Sequence, residues 1–228
     1  MQSRAHKTQS QVQDAVVTRL ADNLRRKYGC HTVILYGSRA RGDHAAESDY
    51  DLVGIGQQGP VRHLARRVGR AYVDAFVYPE RKATPSELLR IRGGRVVFQK
   101  ARFGEGLLER IDRLHARGPK TLSPDEIILR QHWARKMLDR ARRGDIQGHF
   151  RRAELLTTLL EDYFLLRGLW YEGPKVSLMW LHVHDPEMAS LYAKALEPGA
   201  RLPHIAKLVA AVVPMTPNAR RAPQPKQL

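Results

Sequence analysis

The spacing of apolar residues divides the chain into a first half that alternates strands and helices and a second half that is helical. An apolar residue recurs every four positions across residues 10–28, which predicts an amphipathic helix that ends at Gly29. Short apolar runs, rich in β-branched residues, predict buried strands. They lie at residues 32–36, 50–55, 71–78 and 95–99. Helical patterns are predicted between and after them, over residues 61–68, 86–91 and 106–116.

Proline and glycine mark the helix ends in the second half. Ser123 is a good N-cap, Pro124 suits the first helical position and Glu126 completes a capping box, so a helix is predicted from there to about Arg143. Further helices are predicted over about residues 150–167, from residue 174, from residue 186 and over 203–213. We therefore predict a first domain over residues 1–120, a helical domain over 121–213, and a disordered, basic, proline-rich tail over 214–228.

Composition narrows the possible classes of protein. The 228 residues contain no apolar run near the ~20 residues of a membrane span and no signal-peptide core at the start, so we expect a cytoplasmic protein without a membrane partner. The single cysteine, Cys30, excludes an internal disulfide framework and a cysteine-based zinc site.

The net charge of +16 is the strongest compositional feature. It suggests nucleic acid, nucleotide phosphates or an acidic protein as partner, although a basic surface without any partner explains it equally well. The excess is larger in residues 1–120, at +11, than in residues 121–228, at +5.

Candidate chemistry lies where the first predicted strand ends. Glycine at position 37 permits a tight turn and the close approach of a ligand, and the amides that follow it, with the Ser38 hydroxyl, can hold an anion. Asp49 and Asp51 are two residues apart at the start of the next strand, so their side chains share a face. Two such carboxylates repel unless a cation lies between them, and Mg²⁺ suits oxygen ligands.

A third carboxylate, Asp74, lies in the middle of an apolar strand, where an unpaired charge would be costly. An anion-binding turn beside paired carboxylates indicates phosphoryl or nucleotidyl transfer, and a two-metal site of that kind needs a third carboxylate from a neighbouring strand. Asp74 is the candidate. The alternative is a salt-bridged core carboxylate.

The residues of this region follow one spaced pattern: Gly37-Ser38-x-Ala40-Arg41-Gly42, five residues, then Ser48-Asp49-x-Asp51-Leu52. The pattern resembles the signature of the polymerase-beta-like nucleotidyltransferase superfamily. The resemblance implies an α+β protein whose first domain is a short mixed β-sheet with flanking helices.

The same resemblance assigns roles to the residues of the pattern. It implies that Asp49 and Asp51 bind Mg²⁺ and that Gly37 and Ser38 contact the nucleotide triphosphate. Asp74 would complete the metal site, a match by strand context only. Within the pattern, Arg41 is a candidate phosphate contact or a surface arginine, and Ser48 is a candidate contact or a strand-entry residue.

A second resemblance covers residues 166–175, which look like the C-terminal helical bundle of small bacterial nucleotidyltransferases of the kanamycin-nucleotidyltransferase kind. In those proteins the helical domain covers the active site and shapes the acceptor pocket. Lys175, just inside a helix after a Gly-Pro turn, is thereby a candidate triphosphate contact.

The sequence thus predicts a Mg²⁺-dependent nucleotidyltransferase that moves a nucleoside monophosphate, we expect AMP from ATP, to an acceptor hydroxyl and releases pyrophosphate. The acceptor is either a small molecule such as an antibiotic, or an RNA, especially a tRNA end, or a protein; oligomerisation stays open. A cationic antibiotic would need an acidic pocket, for which Glu154, Glu161 and Asp162 are candidates. The alternative is a non-catalytic nucleotide-binding or toxin–antitoxin interaction module, against which the intact carboxylate pair counts.

Overall fold

The structure, a computed structural model, describes residues 2–214, with side chains from Ala15 onward. The tail predicted to be disordered falls outside these residues except for Pro214. The chain forms two compact units, Met1–Arg117 and Gly118–Leu228.

The first unit is a five-stranded mixed sheet with helices on both faces, in agreement with the predicted α+β class. Its elements in chain order are α1 (Gln2–Tyr28), β1 (Cys30–Tyr36), α2 (Gly37–Arg41), β2 (Tyr50–Gly56), β3 (Arg62–Val68), β4 (Ala71–Pro79), β5 (Arg95–Phe98) and α3 (Phe103–Ala116). The strand order is β3-β4-β2-β1-β5. Strands β2 and β4 are parallel, and the other pairs are antiparallel.

Each face of the sheet carries its own hydrophobic core, because side chains alternate between the faces along a strand. On one face, Leu24 of α1 packs with Leu35 and Leu52 of the sheet. On the other, Ile34 and its neighbours pack against Leu107 of α3. Cys30, at the start of β1, is buried in the first of these cores, and its burial raises the pKa of the thiol to about 11.

The helix predicted over residues 61–68 is wrong, because this segment forms strand β3. Its apolar residues fall at helical spacing, but the segment pairs along its whole length with β4. A two-residue turn, Gly69-Arg70, joins the two strands, and Gly69 has a positive φ of 63°. Sheet pairing thus overrides a helical pattern of only eight residues. The helix predicted over 86–91 is reduced to a single 3₁₀ turn, Leu89–Ile91.

The second unit consists of helices throughout its described residues, as predicted. They are α4 (Pro124–Ala141), α5 (Ile146–Leu165), α6 (Pro174–His184), α7 (Pro186–Leu196) and α8 (Leu202–Val212). The capping box is confirmed: Ser123 Oγ accepts from the Glu126 amide at 3.2 Å, and a Glu126 carboxylate oxygen accepts from the Ser123 amide at 2.7 Å. The core of the unit forms around α5. Among residues 2–214 no helix has the length and apolarity required to span a bilayer.

Candidate functional site

Three polar side chains lie side by side across the middle of the sheet. The register pairs Tyr36 of β1 with Asp51 of β2, and Asp51 with Asp74 of β4. Residues paired across neighbouring strands point to the same face, and such strands are ~4.8 Å apart. The pairing of β2 with β4 therefore brings Asp51 and Asp74 together although 22 residues separate them along the chain.

The turn at Gly37 lies directly against this pair. Gly37 has a φ of +70°, a conformation that L side chains rarely adopt, and a Cβ added there would overlap Asp51 Oδ2. The backbone that starts α2 is consequently in contact with the Asp51 carboxylate. Only glycine fits this position.

Asp49 is the third carboxylate of the group and lies just before β2. It is exposed, and its Oδ1 accepts a hydrogen bond from the Tyr72 amide at 3.4 Å. The pKa of Asp51 is raised, first by burial and then by the negative charges of Asp74 and Asp49. The three aspartates are therefore close enough to form one electrostatic cluster.

Asp74 has a partner that the sequence did not suggest. His63 Nε2 on β3 lies 2.5 Å from Asp74 Oδ1, at the distance of a short hydrogen bond between an imidazole N–H and a carboxylate. The His63 ring stacks on Phe76, with centroids 4.3 Å apart. Recognising residues 61–68 as a strand would have revealed this pair, because His63 and Asp74 then lie on the same face of neighbouring strands.

Arg39 holds the loop that leads into β2. Its guanidinium donates to the Ser48 carbonyl at 2.6 and 2.9 Å and to the Asp49 carbonyl at 3.1 Å, and it covers the Tyr50 ring at 3.9 Å. The side chain is thus committed to the protein backbone and positions Asp49. The carbonyls that this arginine would bind could not be read from the sequence motif.

The remaining predicted phosphate contacts differ in their surroundings. Ser38 follows Gly37 in α2, and within the described residues its hydroxyl has no hydrogen-bond partner. Arg41 is exposed and pairs with Asp43 at 3.3 Å. The Ser48 hydroxyl accepts from the Ala45 amide at 2.9 Å, within the loop. The fourth residue, Lys175, is exposed at the start of α6, in the second unit.

A further cation lies on the same face of the sheet as the aspartates. Arg90 donates to the Tyr78 hydroxyl at 3.0 Å, bonds Tyr36 and covers the Phe76 ring at 4.7 Å. Burial raises the pKa of Tyr36, and the charges of Asp51 and Asp74 add to that effect although Arg90 opposes it. The Tyr36 hydroxyl is therefore protonated at neutral pH and faces the carboxylates as a neutral group.

The carboxylates fit a hard divalent cation only in part as they stand. Within residues 2–214 no three His, Cys, Asp or Glu side chains converge into a ready ligand set for a metal ion. Asp51 and Asp74 supply neighbouring oxygen donors, and a bound cation would offset the charges that raise the pKa of Asp51. Asp49 and Asp74 use only Oδ1 for their bonds with the Tyr72 amide and with His63, so each carboxylate keeps a second oxygen that can face a cation.

A comparison with known protein families matches the segment that contains the turn, the strand and the paired carboxylates. Residues 17–102 match the model of a family described as the nucleotidyltransferase domain. This part of the chain is a nucleotidyltransferase domain. The match runs from the second half of α1 to just after β5 and includes every predicted site residue except Lys175.

A solved structure that resembles the chain shares little sequence with it. A crystal structure of a nucleotidyltransferase-like protein from Exiguobacterium sibiricum 255-15 is 14% identical, with a TM-score of 0.45 over 86% of this chain and 73% of that one. No curated protein matches the chain.

The loop of the nucleotidyltransferase domain offers a test of the role of Arg39. We expect Arg39→Lys to lower nucleotide transfer about a hundredfold, because a lysine cannot reproduce the planar fork that binds two carbonyls, and Asp49 would shift. The measurement is initial rate at saturating nucleotide and Mg²⁺. Arg113→Lys, on the exposed side of α3, is the control and should keep the wild-type rate. An Arg39→Lys enzyme with the wild-type rate would contradict the positioning role.

Proposed function

We propose that this protein transfers a nucleoside monophosphate from a nucleoside triphosphate, we expect ATP, to an acceptor hydroxyl and releases pyrophosphate. The single observation that carries the proposal is the contact of the Gly37 turn with Asp51, itself paired with Asp74, inside a nucleotidyltransferase domain. This contact supports the proposal because the turn, whose amides would bind an anion, lies beside the paired carboxylates. A redox reaction would not require that combination.

The roles follow from charge and position. Asp49, Asp51 and Asp74 would hold Mg²⁺, which supplies charge neutralisation for the phosphates and a lower pKa for the attacking hydroxyl. The amides after Gly37 and the unpaired Ser38 hydroxyl would bind the outer phosphates of the nucleotide.

In the transfer itself, the acceptor oxygen forms a bond to the α-phosphorus as the bond from that phosphorus to the bridging oxygen of pyrophosphate breaks. The acceptor proton passes to the Asp74 carboxylate, whose Oδ1 accepts a hydrogen bond from His63 Nε2 at 2.5 Å, so His63 orients the carboxylate that receives the proton. The negative charge that develops on pyrophosphate is stabilised by the donors of the Gly37-Ser38 turn. Arg41, Ser48 and Lys175 stay predicted phosphate contacts, and the helical unit stays a predicted acceptor-binding domain.

An acidic pocket for a cationic antibiotic gains little support from the second unit. Asp162 is fully buried and paired with Arg130, and its burial raises the pKa of its carboxyl. Glu154 pairs with Arg151 at 2.8 Å. Of the three candidate acidic residues on α5, only Glu161 is left exposed and without an ion pair in the described part of the chain. An RNA or protein acceptor is favoured over an aminoglycoside.

The test is a transfer assay with each of the four nucleoside triphosphates, labelled on the α-phosphate, in the presence of Mg²⁺. The acceptors are total RNA, a panel of antibiotics and a lysate of proteins. Label on any acceptor, with release of pyrophosphate and loss of both in Asp51→Asn, supports the proposal. Nucleotide binding without transfer to any acceptor would instead support a non-catalytic nucleotide-binding or toxin–antitoxin interaction module.

A further inference from the structure

The edge strand of the sheet carries an unusual concentration of positive charge. Residues 52–73, which separate Asp51 from Asp74 in sequence, contain four arginines and not one Asp or Glu. All four lie on β3 or in the turn after it. Arg67 shares a face of the sheet with Tyr72 and Asp74, whereas Arg62 and Arg66 lie on the opposite face. We call Arg67, Arg70 and Tyr72 the β3 surface.

The arginines of the β3 surface are available to a partner. All four arginines of residues 62–70, those of the β3 surface included, are exposed, and within the described residues none of them forms an ion pair. Arg67 donates to the Gly69 carbonyl at 3.2 Å, and its guanidinium lies 6.0 Å from the centre of the Tyr72 ring, the residue opposite it on β4. Tyr72 itself is 55% exposed, a high value for a tyrosine within a strand. The surface thus combines free cations with an open aromatic ring.

This surface borders the carboxylates directly. Ala65 of β3 is paired with Asp74, and the Tyr72 amide donates to Asp49. Because the strand order is β3-β4-β2-β1-β5, the Gly37 turn that follows β1 lies on the other side of the aspartates, about 14 Å from β3 at the usual strand spacing. The positively charged β3 surface and the Gly37 turn thus lie on opposite sides of the aspartate cluster.

The direction of the reaction links β3 to the acceptor, an argument that rests on the proposed function. In an in-line displacement the attacking oxygen and the leaving pyrophosphate are on opposite sides of the phosphorus. If pyrophosphate leaves toward the Gly37 turn, the acceptor hydroxyl has to enter over β4 and β3. The acceptor therefore passes the arginines.

We propose that the β3 surface docks a single-stranded RNA whose terminal hydroxyl is the acceptor. Arginines bind successive phosphates, and an exposed tyrosine beside them stacks a base, the combination by which proteins hold single strands. RNA presents such unpaired ends and loops, whereas DNA is mostly duplex. A cationic antibiotic would be repelled by the same surface. An alternative reason for the arginines is that charged residues keep an edge strand from pairing with other chains. In that case the protein would not bind RNA through β3.

The experiment measures binding of the full-length protein to a labelled single-stranded RNA of about 12 nucleotides with a free 3′ hydroxyl, by fluorescence anisotropy over a series of salt concentrations. We expect Arg67→Gln/Arg70→Gln to weaken binding about tenfold or more at low salt. It should also reduce the slope of log affinity against log salt by about 1.4, since each phosphate contact on a single strand contributes about 0.7. Tyr72→Leu should weaken binding about fivefold or more and leave the slope unchanged.

The matched control is Arg110→Gln/Arg113→Gln on α3, which removes the same charge from exposed positions away from β3 and should bind RNA as the wild type does. The proposal is overturned if the β3 variants bind as tightly as the control, or if the wild type does not bind RNA. Equal binding of single-stranded DNA of the same sequence would overturn the assignment to RNA.

A transfer assay separates this proposal from the proposed function. RNA binding that depends on β3, in a protein that transfers no nucleotide, would refute the proposed function and leave the docking surface standing. If the protein transfers nucleotide but the β3 substitutions leave its RNA binding unchanged, only the docking surface is refuted.

Discussion

Asp51→Asn is expected to lower nucleotide transfer at least about a thousandfold while it raises the temperature of unfolding at pH 7. The loss of transfer follows because the carboxylate is a proposed metal ligand, and metal charge stabilises the transition state by several kcal/mol, at 1.36 kcal/mol for each tenfold in rate. The gain in stability follows because burial and two neighbouring carboxylates disfavour the ionised side chain in the folded state. The Asp51 carboxylate that transfer requires thus lowers the stability of the folded protein.

The effect of Asp51→Asn on the temperature of unfolding should depend on pH. The pKa of Asp51 is raised in the folded protein, so the folded state binds its proton more tightly than the unfolded state does. Wild-type stability therefore falls as pH rises from the unfolded pKa through the folded one. The difference in unfolding temperature between Asp51→Asn and wild type should be largest at neutral pH and shrink toward pH 4. Mg²⁺ should raise the unfolding temperature of the wild type, and have less effect on the variant.

Asp112→Asn, on the exposed side of α3, is the control for the loss of one carboxylate, and both its transfer rate and its response to Mg²⁺ should match the wild type. Scanning calorimetry at the two pH values and an initial-rate assay provide the measurements. Retention of a near-wild-type rate by a folded Asp51→Asn protein would remove Asp51 from the site.

Gly37→Ala is expected to slow transfer strongly and to destabilise the protein. An alanine in the left-handed conformation costs about 1–2 kcal/mol, and its Cβ would in addition overlap the Asp51 carboxylate. The overlap can be relieved only if the turn or Asp51 moves, and either shift separates the phosphate-binding amides from the metal ligands. We expect a transfer rate reduced by about a hundredfold or more.

The same chain provides a control for the strain without the overlap. Gly42, at the end of α2, also has a positive φ, of 85°, but a Cβ there would meet nothing within 4 Å. Gly42→Ala should therefore lose a similar 1–2 kcal/mol of unfolding free energy and keep most of its activity. If both variants lose activity equally, the backbone strain rather than the contact with Asp51 is responsible.

Local signals in the sequence were sufficient for the helices of the second unit. Ser123 and Glu126 bond to one another across one helical turn, so the start of α4 is determined by neighbours in the chain. Strand β3 could not be recognised from spacing, since its apolar residues are compatible with a helix and its identity depends on β4. The two-residue loop Gly69-Arg70 was the one local signal for a hairpin.

The candidate site shows the same division between local and long-range information. The Gly37-Ser38 turn and the Asp49-x-Asp51 pair lie within 15 residues and could be identified together. The pairing of Asp51 with Asp74 depends on the register of two parallel strands, which the motif does not contain. Arg39 shows the limit most clearly, because a residue inside the motif binds loop carbonyls that only the folded chain brings within reach.

The burial of Cys30 makes the chain convenient for site-specific labelling. A thiol with a pKa of about 11, enclosed between α1 and the sheet, is protonated at neutral pH and reacts slowly with maleimides. Since the sequence contains no other cysteine, a single one introduced at an exposed position such as Gln58, in the loop before β3, would take a dye without removal of the native residue. A fluorophore there would report the arrival of a ligand on the outer strand directly.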